Sequence, residues 1–379
     1  MTRIVLLGGG AGGSMVSNQL ARQLKPEILH GDVEITVINE SDQHVYQPYF
    51  LYMAFDQAVP ADAHRPERSV LNRQVKLIVG HAERIDRSAN KVLMGDGQEV
   101  PYDYLVIATG SVPDPDSIPG LSEGGQTFYT EAGALKLRDA LRDFQGGRIV
   151  VTVGVPHKCP VAPLEFTLMV HDWLKAHDLG DKSEVVYTYP IGRLHSLEPV
   201  AEWANQVFPQ RGIQSQTFFN VETVDPHQKT LTSLEGETLA YDLLVAIPPH
   251  KGQDLIGRSE LGDAGNWVPT DRHTLQMQGA DNIYVLGDAT NLPISKAGST
   301  AHFEADVVAA NISNRVHGGN GSLRYDGKVF CFIETGNDQA TYIKFDYQHP
   351  PQPQAPSELI HLYKLAFNKM YWLSAAGIL

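Results

Sequence analysis

Cysteine is scarce in this chain: 379 residues contain two, Cys159 and Cys331. That excludes a disulfide-rich secreted scaffold, and two thiols alone cannot complete a four-cysteine zinc or iron–sulfur site. On composition alone they read as two unrelated buried thiols. Positive charge is scarce too, with 30 Lys+Arg against 44 Asp+Glu and a formal net charge of −14. No compact basic run offsets it, so nucleic acid is excluded as the main partner, because phosphate binding needs a Lys/Arg surplus on some face. Apolar runs are short, and none approaches the roughly 18–20 residues of a spanning helix, so no transmembrane helix is expected. Met1-Thr2-Arg3 runs straight into an apolar strand and then glycines, so no signal peptide is expected either. What remains, 42% hydrophobic and 20% charged residues, is a folded globular chain long enough for two or three domains.

The β-branched run Ile4-Val5-Leu6-Leu7 reads as a buried strand and is followed at once by Gly8-Gly9-Gly10-Ala11-Gly12-Gly13. A helical stretch from Ser14 to Leu24 and a second strand from Val33 to Ile38, ending at Glu40, complete a βαβ unit around a dinucleotide fingerprint. Gly8 permits the tight turn, Gly10 lets the backbone approach a pyrophosphate, and Gly13 lets helix and strand pack closely. The helix N-terminus, reached through Gly12, faces the phosphates with partial positive charge, and Glu40 is placed to accept a ribose hydroxyl.

The pattern recurs. Tyr102-Asp103-Tyr104-Leu105-Val106-Ile107-Ala108 is echoed by Tyr241-Asp242-Leu243-Leu244-Val245-Ala246-Ile247, and Ile4 to Gly9 is echoed by Ile149-Val150-Val151-Thr152-Val153-Gly154 at a nearly equal offset. The expectation is therefore an α/β chain with two Rossmann-like dinucleotide-binding domains in tandem, the second inserted in the first, plus a small C-terminal module with an amphipathic helix. The boundaries read as 1–111 and 281–319 for the first domain, 112–280 for the second and 320–379 for the C-terminal module.

Two further segments, Leu105 to Thr109-Gly110 and Asn282-Ile283-Tyr284-Val285-Leu286-Gly287-Asp288, resemble the additional flavin-binding signatures of two-domain flavin disulfide reductases. That resemblance implies non-covalent FAD in the first domain, with Asp288 on the ribityl chain and the Ala82 backbone near the adenine. Asp288 as a plain helix cap is the alternative.

The second domain departs from the fingerprint. Val150 to Val153 leads into Gly154-Val155-Pro156-His157-Lys158-Cys159-Pro160-Val161-Ala162-Pro163-Leu164-Glu165, where prolines, a lysine and a cysteine replace the glycines that a pyrophosphate needs. Nicotinamide binding, and with it a type II NADH:quinone reductase, is not expected here. Cys159 precedes a helix start and adjoins Lys158; both features favour a thiolate. Glu165 in the first helical turn is a candidate for proton transfer, or simply a carboxylate favourable to the dipole.

Lys158 to Glu165 resembles the first active-site cysteine segment of sulfide:quinone oxidoreductases and flavocytochrome c sulfide dehydrogenases, and Val329-Phe330-Cys331-Phe332-Ile333-Glu334-Thr335-Gly336 resembles the second. Lys296-Ala297-Gly298-Ser299 is similar to the segment beneath the flavin ring in that family. The resemblance implies that Cys159 and Cys331 meet as a redox pair over the flavin, that hydrosulfide attacks their disulfide, and that two electrons pass to a quinone. It also implies that Lys296 stabilises negative charge on the flavin, unless it is a solvated loop lysine. His195 resembles a histidine near the sulfide channel, with a plain loop histidine as the alternative. Some members carry a third cysteine near the domain link; residues 111–135 contain none, which excludes three-sulfur mechanisms. Histidine spacing points to no metal site.

From Ser357, a good N-cap, the last stretch plots as a helix with His361, Lys364 and Asn368 on one face and Leu359, Tyr363, Phe367 and Met370 on the other. The expectation is a helix lying in a bilayer interface, making the protein peripheral to a membrane; packing on the core or on a second copy is the alternative. Phe332 and Phe367 are expected to flank the quinone. The rival readings are a sulfide dehydrogenase that passes electrons to a haem partner, and a non-catalytic flavoprotein sensor; self-association is left open.

Overall fold

A computed structural model describes residues 1–378 of the chain. The apolar run at the N-terminus forms the strand Thr2–Leu7, which pairs in parallel with Val33–Asn39 on one side and Tyr104–Ile107 on the other. Lys76–Val79 and Ile283–Val285 complete a five-stranded parallel sheet. Helices on its faces bury the central strands almost completely, which is why Ile4, Leu6, Val106 and Ile107 can all be apolar without alternation. The second sheet runs Gln214–Thr217, Ser183–Tyr189, Gly147–Val153, Leu243–Ile247, again all parallel. Strand for strand this is the order of the first sheet without the strand contributed by Ile283–Val285. Each sheet also carries a three-stranded antiparallel meander, Ala82–Asp86 to Glu99–Pro101 in one and Val221–Asp225 to Thr238–Ala240 in the other. The duplication read from the sequence is thus a structural one, and Ile283–Val285 returns the chain to the first sheet.

The C-terminal module is a hairpin, Val329–Gly336 paired with Gln339–Phe345, followed by the helix Glu358–Ala375. Asn337 and Asp338 both take left-handed φ (53° and 51°) and close the hairpin in a tight turn. Val329, Cys331 and Ile333 point into one core with the helix Ala162–Ala176, while Phe330 and Phe332 point away from it, as the two-residue period of a strand requires. Among the described residues, no helix is long and apolar enough to cross a membrane.

The C-terminal helix is capped by Ser357, whose Oγ accepts from the Ile360 N–H at 3.3 Å. Its polarity is inverted relative to a water-facing helix. Lys364, Asn368, Tyr371 and Ala375 are buried, whereas Leu359, Leu362, Tyr363, Phe367, Met370 and Leu373 are 41–59% exposed. Specific bonds hold the polar face inward: Asn368 Oδ1 accepts from Tyr46 at 2.9 Å, and the Asn18 side chain donates to the Ala375 carbonyl at 2.7 Å.

The glycine loop shows why two of its glycines are required. Gly8 has φ +101°, and a Cβ there would sit 2.4 Å from the Ala108 carbonyl oxygen. A Cβ on Gly13 would sit 1.9 Å from the Gly8 carbonyl oxygen, so the helix could not approach the strand. Gly13→Ala is expected to destabilise the fold by about 2–3 kcal/mol and to lower bound flavin, read as a drop in melting temperature and in the flavin-to-protein absorbance ratio.

Candidate active site

Three features at the N-terminus of the helix Ala11–Gln23 fit an anionic dinucleotide. Gly10 is its N-cap and has open space where a Cβ would stand, the first turn carries no acid, and no side chain caps the end. Across the loop, Thr109 Oγ1 is buried without a partner beside Gly110, whose φ is +68°. The second strand ends at Asn39, whose Oδ1 accepts from the Gly9 N–H at 2.9 Å; Glu40, the next residue, is exposed and 3.0 Å from His81 Nδ1. Ala82 opens the adjoining meander. Asp288 lies at the far end of the same site, its Oδ2 accepting from Ser111 Oγ at 3.2 Å. Lys296 Nζ donates to the Thr290 carbonyl at 2.5 Å and lies over the Trp267 ring at 4.1 Å, and burial pushes its pKa down.

The cysteine loop is tied to this site by its backbone. Cys159, in a left-handed conformation (φ 47°), donates its N–H to the Lys296 carbonyl at 2.6 Å, and its own carbonyl accepts from the Ala162 N–H and from Tyr129 Oη. Gly154 leaves no room for a phosphate, since a Cβ there would strike Pro249. Cys331 arrives from the hairpin with Ser299 Oγ 4.0 Å from its sulfur. The structure therefore gathers Cys159, Cys331, Lys296 and Glu165, and both thiols are free.

The expected thiolate at Cys159 is overturned. Burial, then the Glu165 carboxylate and the second sulfur, push the Cys159 thiol well above its ordinary value, and burial pushes Cys331 up to about 11. The neighbouring ammonium does not counter this, because Lys158 Nζ turns away to Gln47 Oε1 at 2.6 Å. The helix is also no help: it starts only at Ala162, behind a loop that reverses at Cys159. His195 is fully buried, with Nδ1 accepting from the Leu197 N–H at 3.0 Å and Nε2 unpartnered; burial and His157 lower it to about 4, so it is neutral at neutral pH.

Behind the cysteines lies a buried charge cluster that the sequence did not announce. Glu165 accepts from the Glu334 N–H at 2.8 Å and pairs with Lys364, which also lies 3.8 Å from Glu334. Tyr52 Oη donates to Glu334 Oε1 at 2.7 Å, and His361 Nδ1 lies 2.9 Å from Oε2. Burial opposes the charge on Lys364, but Glu165, Tyr52 and Glu334 outweigh it and raise the ammonium above its ordinary value. On the other face of the hairpin strand, Phe332 and Phe367 stand 5.8 Å apart, and Phe330, passed over in the sequence, packs on Phe332 at 4.8 Å and on Tyr342 at 5.4 Å.

Two other buried acids were also missed. Glu304 accepts from the Gly287 N–H at 2.5 Å, beneath Asp288. Glu67 abuts the glycine loop, accepts from Ser14 Oγ at 2.9 Å and lies 3.2 Å from His44, whose Nε2 meets Tyr371 Oη at 2.6 Å. The C-terminal helix is thereby connected to the nucleotide loop through buried polar groups.

A glycine cradle open to a pyrophosphate, joined to a second domain whose cradle is filled by its own chain, defines a two-domain FAD-dependent oxidoreductase. The sequence model of the pyridine nucleotide-disulphide oxidoreductase family matches residues 2–305, and the chain belongs to that family. The chain is similar to a mitochondrial sulfide:quinone oxidoreductase of Dictyostelium discoideum, 27% identical over 392 residues that cover 98% of this chain and 85% of that protein. It is similar to the mitochondrial sulfide:quinone oxidoreductase of Mus musculus at 25% identity, covering 97% of this chain and 85% of the other. Among solved structures, the sulfide:quinone oxidoreductase of Aquifex aeolicus superimposes with a TM-score of 0.88 at 23% identity, over 100% of this chain and 92% of that one. The resemblance carried by the two cysteine segments thus extends along the whole chain.

Glu304 generates a pH prediction. Burial pushes its carboxyl up to about 8 from an ordinary 4.5, so the folded chain holds a proton that the unfolded chain releases. Stability contributed by this group is present below the unfolded value and falls by about 1.4 kcal/mol per pH unit between roughly pH 5 and pH 8. Glu304→Gln keeps an acceptor for Gly287 without the titration. Its melting temperature is expected to exceed that of the parent increasingly as pH rises from 6 to 8, measured by differential scanning fluorimetry.

Proposed function

We propose that the protein oxidises sulfide to zero-valent sulfur through a Cys159–Cys331 redox pair and passes the two electrons to a membrane quinone. The observation that carries this reading is the convergence of two cysteines from distant segments on one side of a site built for FAD, with aromatic residues on the other side of the same strand. The glycine loop, Thr109-Gly110 and Asp288 would hold FAD, which when bound would supply the two-electron link between sulfur and quinone. The relatives named as sulfide:quinone oxidoreductases support the choice of donor and acceptor.

In the oxidised pair, hydrosulfide attacks one sulfur of the disulfide, the S–S bond breaks, and a persulfide forms on one cysteine while the other becomes a thiolate. The raised thiol pKa values suit this division, because a sulfur in surroundings hostile to negative charge returns its electrons readily. A second nucleophile removes the outer sulfur. His195, neutral beside the loop, offers hydrosulfide no electrostatic attraction, so positive charge near the site falls to Lys296, whose Nζ lies beside the Asp288 carbonyl. Phe332 and Phe367 flank the quinone, with Phe330 extending the same aromatic wall.

The inverted helix Glu358–Ala375 supports attachment to one membrane face. Its outward apolar side chains would enter the interface, where each buried large side chain contributes about 1.5–3 kcal/mol, while its polar face stays locked on the protein.

Two experiments test these statements. Cys159→Ala and Cys331→Ala should each retain FAD and lose anaerobic bleaching by sulfide; full bleaching in either variant would exclude the two-sulfur route. The parent should co-sediment with liposomes at low salt, and a Leu359→Ser, Leu362→Ser, Met370→Ser triple variant should stay in the supernatant. A parent that does not sediment would sink the interfacial reading.

A further inference from the structure

Sulfide oxidation by quinone has a proton balance: hydrosulfide, one quinone and one proton give zero-valent sulfur and one quinol. Sulfide loses two electrons, the quinone gains them, and one of the two quinol protons comes from hydrosulfide while the other must come from water. Cys331 is buried, Cys159 and Phe332 are half-buried, and the exposed edge of Phe367 belongs to the face proposed to enter the membrane, so a route for that proton has to be built by side chains.

We propose that His361 and Glu334 form this route, carrying a proton from an open cavity to the buried Lys364–Glu165 pair. The proposal rests on the sulfide:quinone reading and deepens it. The cavity, of about 540 Å³, lies between the helices Tyr49–Ala54 and Ala162–Ala176 and the turn of the C-terminal hairpin, and both His361 and Glu334 line it. The side chain of His361 is 18% exposed, against 4% for Glu334, 9% for Lys364 and 6% for Glu165. Of the four, His361 is therefore the one that exchanges protons with water.

The outer link is within hydrogen-bond distance and the inner one is an ion pair. His361 Nδ1 lies 2.9 Å from Glu334 Oε2, and the other oxygen of that carboxylate lies 3.8 Å from Lys364 Nζ. Tyr52 Oη, 2.7 Å from the same oxygen, holds the carboxylate in place. Lys364 pairs with Glu165, whose charge reaches both cysteine sulfurs. Phe367 stands one turn beyond Lys364 and meets Phe332, so the inner end of the route borders the sulfur side and the aromatic wall alike. Lys364 is already an ammonium, so the relay runs by replacement: Lys364 passes one proton to Glu165, and the neutral amine left behind takes another from Glu334, which is reprotonated from His361 on its other oxygen. A purely structural cluster has no need of a half-open imidazole at its outer end.

The test uses the FAD-loaded protein and separates two half-reactions: anaerobic bleaching by sulfide, and steady-state turnover with a short-chain ubiquinone analogue. His361→Ala is expected to bleach within about twofold of the parent and to lose turnover by about tenfold or more. Imidazole at tens of millimolar, small enough for the cavity, should restore most of that turnover, and the rate ratio between water and heavy water should rise in the variant. His361→Gln fills the gap and keeps a bond to Glu334 without carrying a proton, so its loss should resist imidazole; it also serves if the alanine variant fails to hold FAD. Unchanged turnover in either variant, or a loss in His361→Ala that imidazole does not relieve, overturns the route. A parent that sulfide does not bleach overturns the sulfide reading instead, so the two failures are distinguishable.

Discussion

One buried ammonium organises this molecule. Lys364 on the last helix faces Glu165 from the cysteine helix and Glu334 from the cysteine hairpin, so three segments remote in sequence meet at a single charge. Removing one member of such a cluster leaves an uncompensated charge inside the protein, at a cost of roughly 3–5 kcal/mol. The same contact fixes the rotation of the C-terminal helix. With Lys364, Asn368 and Tyr371 turned inward, the 3.6-residue period leaves Leu359, Leu362, Phe367 and Met370 no choice but to face outward. A patch of this kind in water is unfavourable unless something apolar covers it, so the chemistry of the site and the proposed attachment to a membrane follow from one interaction.

The hairpin strand adds a second constraint. Successive side chains on a strand point to opposite faces, so Cys331 and Phe332, adjacent in sequence, face different compartments. The sulfur chemistry proposed for Cys331 and the quinone wall proposed at Phe332 can then be neighbours without mixing. The second dinucleotide domain completes the separation. It keeps the parallel sheet of its twin, but its former phosphate loop turns back on Pro249 and delivers Cys159 to the carbonyl of Lys296. A duplicated fold has thus been put to two uses, one copy keeping a nucleotide and the other positioning a sulfur.

Much of the scaffold was legible in the sequence because its signals are local. Glycines at Gly8, Gly10 and Gly13, a buried strand before them and a helix after them define a nucleotide loop within a dozen residues. The repeat of Tyr102 to Ala108 at Tyr241 to Ile247 exposed the duplication for the same reason. Cys159 and Cys331 stood out because the segments around them are distinctive. The protonation of Cys159 was misjudged on local grounds: Lys158 is adjacent in sequence, yet its side chain reaches Gln47, and burial beside Glu165 decides the thiol instead. Glu304, Glu67 and His44 left no trace, since a buried carboxylate looks like any other until the fold shows what surrounds it.

The amino-acid sequence by itself determined the α/β class, the paired dinucleotide domains, the FAD loop and the amphipathic character of the last helix, all of which depend on periodicity and on residues a few positions apart. Only the tertiary structure decided which face of that helix is buried, whether the sulfurs favour charge, and where the acids Glu165, Glu334 and Glu304 find their partners. Those outcomes depend on desolvation and on contacts between segments some 200 to more than 350 residues apart, such as Glu165 with Lys364 and Asn18 with Ala375. Such properties belong to the packed interior and are not encoded in any single stretch of the chain.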